Sequence, residues 1–190
     1  MAISEIGLLK LKSTASLDDP ELREKLSQIK SNLEKFTGHD FHYLQQIEDP
    51  NYIYMLGQWQ SLEQHYKELH SSTDWQEMVP IMQKHFDFQW MAHYDFALDN
   101  INVDTPVLGL ARYVMSEGDR KNAEDSLDKA RSSLKDSVGG WKVDGGRKSE
   151  EAVLLAPNEK LQEQQSIKDL KIGDATEQAD IKHMRLIKNI

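Results

Sequence analysis

The chain has 190 residues, 38% of them hydrophobic, a net charge of −9 and no cysteine. Disulfides, thiolate catalysis and cysteine–zinc centres are therefore excluded, and the acidic balance argues against nucleic acid and anionic membrane surfaces, which both ask for a positive footprint. No apolar run approaches the roughly 20 residues that span a bilayer, and the start MAISEIGLLKLK lacks the basic opening of a signal peptide, so a cytoplasmic protein is expected.

Ile6 to Lys12 reads as a short apolar strand. Acidic residues and Pro20 then open a helix whose Leu22, Leu26, Ile29, Leu33 and Phe36 share one face, and Thr37-Gly38 ends it. Phe41 to Glu48 and Tyr52 to Trp59 form a hairpin around Asp49-Pro50-Asn51. A helix starts at Ser61 with Leu62, Tyr66 and Leu69 as its apolar stripe. A further helical piece follows Ser72, carrying Trp75, Met78, Val79, Met82 and Phe86, with Pro80 kinking it or starting a new turn. Phe88 to Ala97 closes the first half as a strand.

Residues 99–106 read as a polar linker between halves at 1–98 and 107–190. The order then repeats more faintly. Val107 to Met115 is a strand. Ala123, Leu127, Ala130, Leu134 and Val138 make a helical face that Gly139-Gly140 ends. Trp141 to Val143 and Ala152 to Ala156 are hairpin strands, Asn158 to about Asp180 is a polar helix-like region, and His183 to Ile190 is the last strand. The spacing of about one hundred residues is far longer than solenoid periods. It points to an α+β chain built from two βαββαβ units, a tandem duplication.

The pattern Trp59-x-Ser61-x-Glu63, followed by Tyr66 and His70, resembles the antibiotic-biosynthesis-monooxygenase group of the dimeric α/β-barrel superfamily. The resemblance runs from about Leu8 to Phe96 and is architectural beyond Val107. It implies two ferredoxin-like halves whose sheets pack face to face, here a pseudo-dimer within one chain, with pairing between two chains left open. It implies a cavity between a sheet and its helices that takes a small aromatic or polyketide-type molecule. The activity implied is that of a cofactor-independent monooxygenase. A cyclase or isomerase on the same barrel, or a binding barrel without chemistry, remains the alternative.

His70 is the candidate base, since a near-neutral imidazole can abstract a phenolic or α-carbonyl proton, an effect of roughly 10²–10⁴-fold. The other reading is a helix-end histidine that meets the last carbonyls. His65 lies five residues earlier, about 140° around an α-helix, so it is expected to face solvent and no metal is expected at the pair. On the strand from Phe88, strict alternation puts Phe88, Trp90, Ala92, Tyr94 and Phe96 on one face and Gln89, Met91, His93 and Asp95 on the other. His183 and Arg185 fall at the places of His93 and Asp95. A water-facing polar face is the simpler account of His93, His183 and Arg185. Trp59, Tyr66, Tyr54, Trp90 and His93 are the substrate-binding candidates, although rings such as Trp59, Tyr54 and Trp90 more often build a core. The run GGWKVDGG lacks the spacing of a phosphate loop and is assigned to hairpin and cap duty. No cofactor site is expected.

Overall fold

The computed structural model describes residues 2–116, 120–145, 150–158 and 180–190. Along them run β1 (Ile3–Leu11), α1 (Pro20–Thr37), β2 (His42–Gln46), β3 (Tyr52–Trp59), α2 (Thr73–His85) and β4 (Phe86–Tyr94). The second half follows with β5 (Val107–Met115), α3 (Arg120–Ser133), β6 (Val138–Trp141), β7 (Glu150–Asn158) and β8 (Asp180–Leu186). The polar helix-like stretch expected after Asn158 lies at 159–179, outside the described residues. No described helix is long and apolar enough to cross a membrane.

Local chemistry sets these elements. Asp19 accepts a hydrogen bond from the Glu21 N–H and Pro20 fixes the first turn of α1. Leu22, Leu26, Ile29 and Leu33 bury its one apolar face, and Gly38, at a φ of 76°, closes it. Ser72 caps α2 by accepting from the Trp75 N–H, and Pro80 sits inside that helix without splitting it.

The strands form one sheet in the order β4-β1-β3-β2-β8-β5-β7-β6. The first four and the last four repeat the same internal order, that of a ferredoxin-like unit. The α+β architecture of two such halves is therefore what the chain builds. The halves join where β2 pairs with β8, Leu44 opposite Leu186. At the far side Tyr94 bridges Lys142, with the Asp95 N–H donating to the Trp141 carbonyl at 3.0 Å and the Val143 N–H to the His93 carbonyl at 2.8 Å. The sheet thereby closes into a barrel, which removes the exposed edges that invite aggregation.

Side chains fill the barrel interior, among them Ile6, Leu44, Tyr54, Tyr94, Leu108 and Leu155. Outside the second half, Ala123, Leu127 and Ala130 of α3 press on Ala111, Tyr113 and Leu154. Outside the first half, α1 and α2 cover Trp59, Phe41, Leu9 and Ile53.

Three expectations are corrected. Gly139 and Gly140 do not end a helix but lie inside β6. A Cβ at Gly139 would strike the Val153 carbonyl, and one at Gly140 the Asp95 carboxylate, so close approach demands glycine there. The polar linker is a packed strap, because Leu98, Ile101 and Val103 are buried against the barrel interior. Strict alternation in β4 fails at Gln89. The register jumps from Leu8 opposite Trp90 to Leu9 opposite Phe88, a bulge that turns Phe88 to the outer face with Met91.

Candidate functional site

A cavity of about 350 Å³ lies between α2 and the outer face of β1, β3 and β4. Small-molecule sites begin at about this size. It exists because α2 covers the sheet without pressing into it: the helix has no fully buried residue. Four of the lining side chains are Met55, Met78, Met82 and Met91, flexible thioethers that adapt to the shape they meet. Leu9, Phe86 and Phe88 extend the apolar wall, and Phe88 is 63% exposed at its rim.

One end of the cavity is polar. Ile6 points into the barrel, so the alternation of β1 sends Glu5 and Gly7 outward. Glu5 stands opposite His93 on β4 and Gly57 on β3, with Trp59 two residues further along the same face. The Trp59 indole N–H donates to Glu5 Oε2 at 2.9 Å.

The chain leaves β3 through a tightly tied turn. The Gln64 N–H donates to Ser61 Oγ at 3.1 Å, and the Gln60 N–H donates to the Gln64 side chain at 2.9 Å. Gln64–Glu68 then adopts a π-helical turn, with the Leu69 N–H bonded to the Gln64 carbonyl. The wide π-turn and the 3₁₀ turn that follows it over Leu69–Ser71 together bring His65 and His70 to one side, with ring centroids 5.3 Å apart. This corrects the expectation that they diverge, which held for an α-helix. His65 does not face solvent either: it is 3% exposed and stacked on Trp59 at 4.4 Å.

His65 Nδ1, His93 Nε2 and Glu5 Oε2 meet at one point. His65 Nδ1 lies 2.9 Å from His93 Nε2 and 3.4 Å from Glu5 Oε2, and His93 Nε2 lies 3.2 Å from Glu5 Oε2. On its other side His93 is gripped by Asp144, which reaches over from the second half. The His93 Nδ1–H donates to Asp144 Oδ2 at 2.7 Å and the His93 backbone N–H to Asp144 Oδ1 at 3.1 Å. The Tyr66 hydroxyl donates to Asp144 Oδ2 at 2.9 Å.

These contacts divide the charge. Burial opposes a proton on His93, but the hydrogen bonds and charges of Asp144 and Glu5 outweigh it and raise its pKa to about 9. Burial dominates at His65 and lowers its pKa to about 4 despite Glu5. These opposed directions favour the proton on His93 and a neutral ring at His65. Burial would raise the Asp144 carboxyl, yet its bonds to His93 hold it below the usual carboxylate range. Burial and the neighbouring Asp144 push the Tyr66 phenol upward.

Of the residues singled out in the sequence, His70 and Trp59 line the cavity. His70 stacks on Trp75 with centroids 3.9 Å apart. His93 and Tyr66 stand behind the polar end, holding it together. Tyr54 and Trp90 are on the other face of the sheet, because they alternate with the cavity-lining Met55 and Met91. There the Arg112 guanidinium covers Trp90 at 4.6 Å. The water-facing polar strand face is a further correction: His93 is fully buried and His183 6% exposed, while Arg185 does face solvent.

Three site residues escaped the sequence reading. Glu5 precedes the expected start of β1, and its signal was a carboxylate on an otherwise apolar strand. His65 was sent outward by the assumption of an α-helix. Asp144 sits in the glycine-flanked run assigned to turn duty.

No protein-family model and no curated protein matches the chain in sequence. Solved structures do resemble it. A candidate chlorite dismutase superposes with a TM-score of 0.68 at 11% identity, covering 99% of this chain and 95% of that one. An anthrone oxidase-like protein gives 0.62 at 11% identity, covering 98% and 91%. A candidate monooxygenase from Fusobacterium nucleatum gives 0.62 at 6% identity, covering 98% and 93%. The chain has the ferredoxin-like, dimeric α/β-barrel fold of these chlorite dismutase-like and monooxygenase-like proteins, with both four-stranded halves of the sheet supplied by a single chain.

Proposed function

We propose that the chain is a monooxygenase-like enzyme that binds a small aromatic, polyketide-type molecule in this cavity and removes a proton from it with His70. One observation carries the reading. At the polar end of an apolar cavity, His70 Nε2 and Glu5 Oε1 are buried and have no hydrogen-bond partner. Leaving a buried polar atom unpaired costs about 1–3 kcal/mol, so a ligand carrying an acidic O–H or C–H is stabilised there. The methionine and phenylalanine wall suits a flat, apolar ring system. Trp75 and His65 hold the His70 imidazole between them.

The reaction follows from carbon acidity. His70 takes a proton from an activated methylene between aromatic rings. The carbanion passes one electron to O₂, and the resulting radical and superoxide combine as a peroxide. The peroxide takes back the proton held by His70, and the hydroperoxide then loses its remaining C–H hydrogen and its terminal hydroxyl together as one water, leaving a ketone, so one methylene and one O₂ become one carbonyl and one H₂O. Substrate carbon supplies all the electrons. Likeness in fold to a protein described as anthrone oxidase-like supports this class of substrate.

Oxygen uptake with an anthrone tests the reading. The unaltered chain is expected to consume O₂ in proportion to substrate, and His70→Ala to lower kcat by roughly 10²-fold or more. A His70→Ala variant with full activity would remove the base. Product formed without oxygen uptake would identify a cyclase or isomerase acting with the same histidine.

A further inference from the structure

We propose that Glu5, His65 and His93 form a binding site for one divalent first-row transition-metal ion. The inference stands on donor geometry and does not rest on the reaction proposed above. The expectation of no metal weighed His65 only against His70, and the structure pairs it instead with His93 and Glu5.

The three donor atoms form a triangle with edges of 2.9, 3.2 and 3.4 Å. A point just off its plane lies about 2.1 Å from all three, the bond length of such ions to imidazole nitrogen and carboxylate oxygen. The donor–metal–donor angles there fall between about 90° and 110°, the range from octahedral to tetrahedral coordination. Two imidazoles and one carboxylate on one face of an ion favour transition metals over calcium or magnesium, which prefer all-oxygen shells.

The supporting contacts are those that metal ligands need. Asp144 accepts from His93 Nδ1–H at 2.7 Å, which fixes the tautomer that leaves Nε2 for the ion. The Trp59 N–H orients Glu5 at 2.9 Å. All three ligands are nearly fully buried, at 1%, 3% and 0% exposure. Glu5 and His65 also line the cavity. The remaining coordination positions therefore open toward the space beside His70.

The second half supplies an internal control. Its β5–β8 pair places His183 opposite Gly109, as β1–β4 places His93 opposite Glu5. His183 has a carboxylate partner of its own, Glu48, but no carboxylate stands at the position of Glu5.

The test is metal binding by the full chain after dialysis against a chelator. Zn(II) is followed by equilibrium dialysis, and Co(II) by visible absorbance and quenching of tryptophan fluorescence, to which Trp59 reports at 4.4 Å from His65. One ion per chain is expected, with a micromolar or tighter dissociation constant. His65→Ala and Glu5→Gln should each weaken it about 100-fold and Asp144→Asn about 10-fold. His183→Ala should leave it unchanged. Because His93→Ala also removes the joint with Asp144, His65→Gln serves as the conservative second variant. No stoichiometric ion in the unaltered chain would overturn the proposal, as would an affinity in His65→Gln and Glu5→Gln unchanged from that of the unaltered chain.

Discussion

The two halves hold each other through a matched pair of clasps that differ in what lies behind them. Asp144, after β6, grips the backbone N–H and Nδ1 of His93 in the first half. Glu48, after β2, grips the backbone N–H and Nδ1 of His183 in the second. Each half lends a carboxylate from its hairpin to the other half's histidine. Beyond the second ring nitrogen the correspondence ends. His93 Nε2 faces Glu5 and His65, whereas His183 Nε2 has no partner and Gly109 stands where Glu5 does. The clasp is thus a joint common to both halves, and a polar site arises where a carboxylate on the central strand backs it. The helix layers differ in the same sense. Small residues let α3 close down on its sheet, while the long side chains of α2 roof a cavity.

The clasps differ most in what their loss should cost. His93→Ala leaves Glu5 and Asp144 facing a buried gap without a cation, and breaking such a pair costs about 3–5 kcal/mol. His183→Ala leaves only Glu48, whose side chain is 39% exposed and can return to water, so the loss should be about 1 kcal/mol. Urea unfolding of both variants measures this directly. Equal losses would mean that the two joints carry the same load and that the site adds nothing to the first.

Filling the two helix layers sharpens the contrast at a smaller scale. Ala111→Phe forces a ring into the closed layer under α3 and should destabilise by about 1–3 kcal/mol. Val79→Phe points into the roofed space and should change stability by less than about 0.5 kcal/mol. It should also weaken binding of an aromatic ligand at least tenfold, read by fluorescence titration. Equal destabilisation by the two would deny the cavity.

The smallest effect concerns acid. Burial pushes Glu151 up, but its hydrogen bonds to Arg112 and Tyr94, with the charges of Arg112 and Lys142, hold it below the ordinary carboxyl value. A carboxyl depressed in the folded state binds its proton more readily once unfolded. Its stabilisation is therefore complete above the unfolded pKa and is lost as pH falls through the folded one. Glu151→Gln should flatten the acid limb of the stability curve, read by urea unfolding across pH. An unchanged limb would show that the seam between Tyr94 and Arg112 is not held by charge.

Much of the fold could be read before any coordinates, because its signals are periodic. The face of α1, its Asp19 and Gly38 ends, the Asp49-Pro50 hairpin and the repeated strand–helix order all follow from spacing and cap chemistry. The site resisted for three local reasons. Gln64–Glu68 has the composition of an ordinary helix, and one extra residue in its hydrogen-bond ring moves His65 from the surface to the core. The bulge at Gln89 carries no glycine or proline to announce it, yet it separates Phe88 from Trp90. Asp144 acts 51 residues from its partner, and such cross-chain pairs leave no periodicity.

The four tryptophans offer the most direct test of where the ligand binds. Trp59 and Trp75 line the cavity, while Trp90 packs against the barrel interior and Trp141 against the layer under α3. Their indole N–H resonances can be followed in a ¹⁵N-labelled chain as an anthrone is added without oxygen. Saturable shifts at Trp59 and Trp75, with Trp90 and Trp141 unmoved, are the expected result. Shifts confined to Trp90 and Trp141, or none at saturating ligand, would contradict a site at the polar end of the first-half cavity.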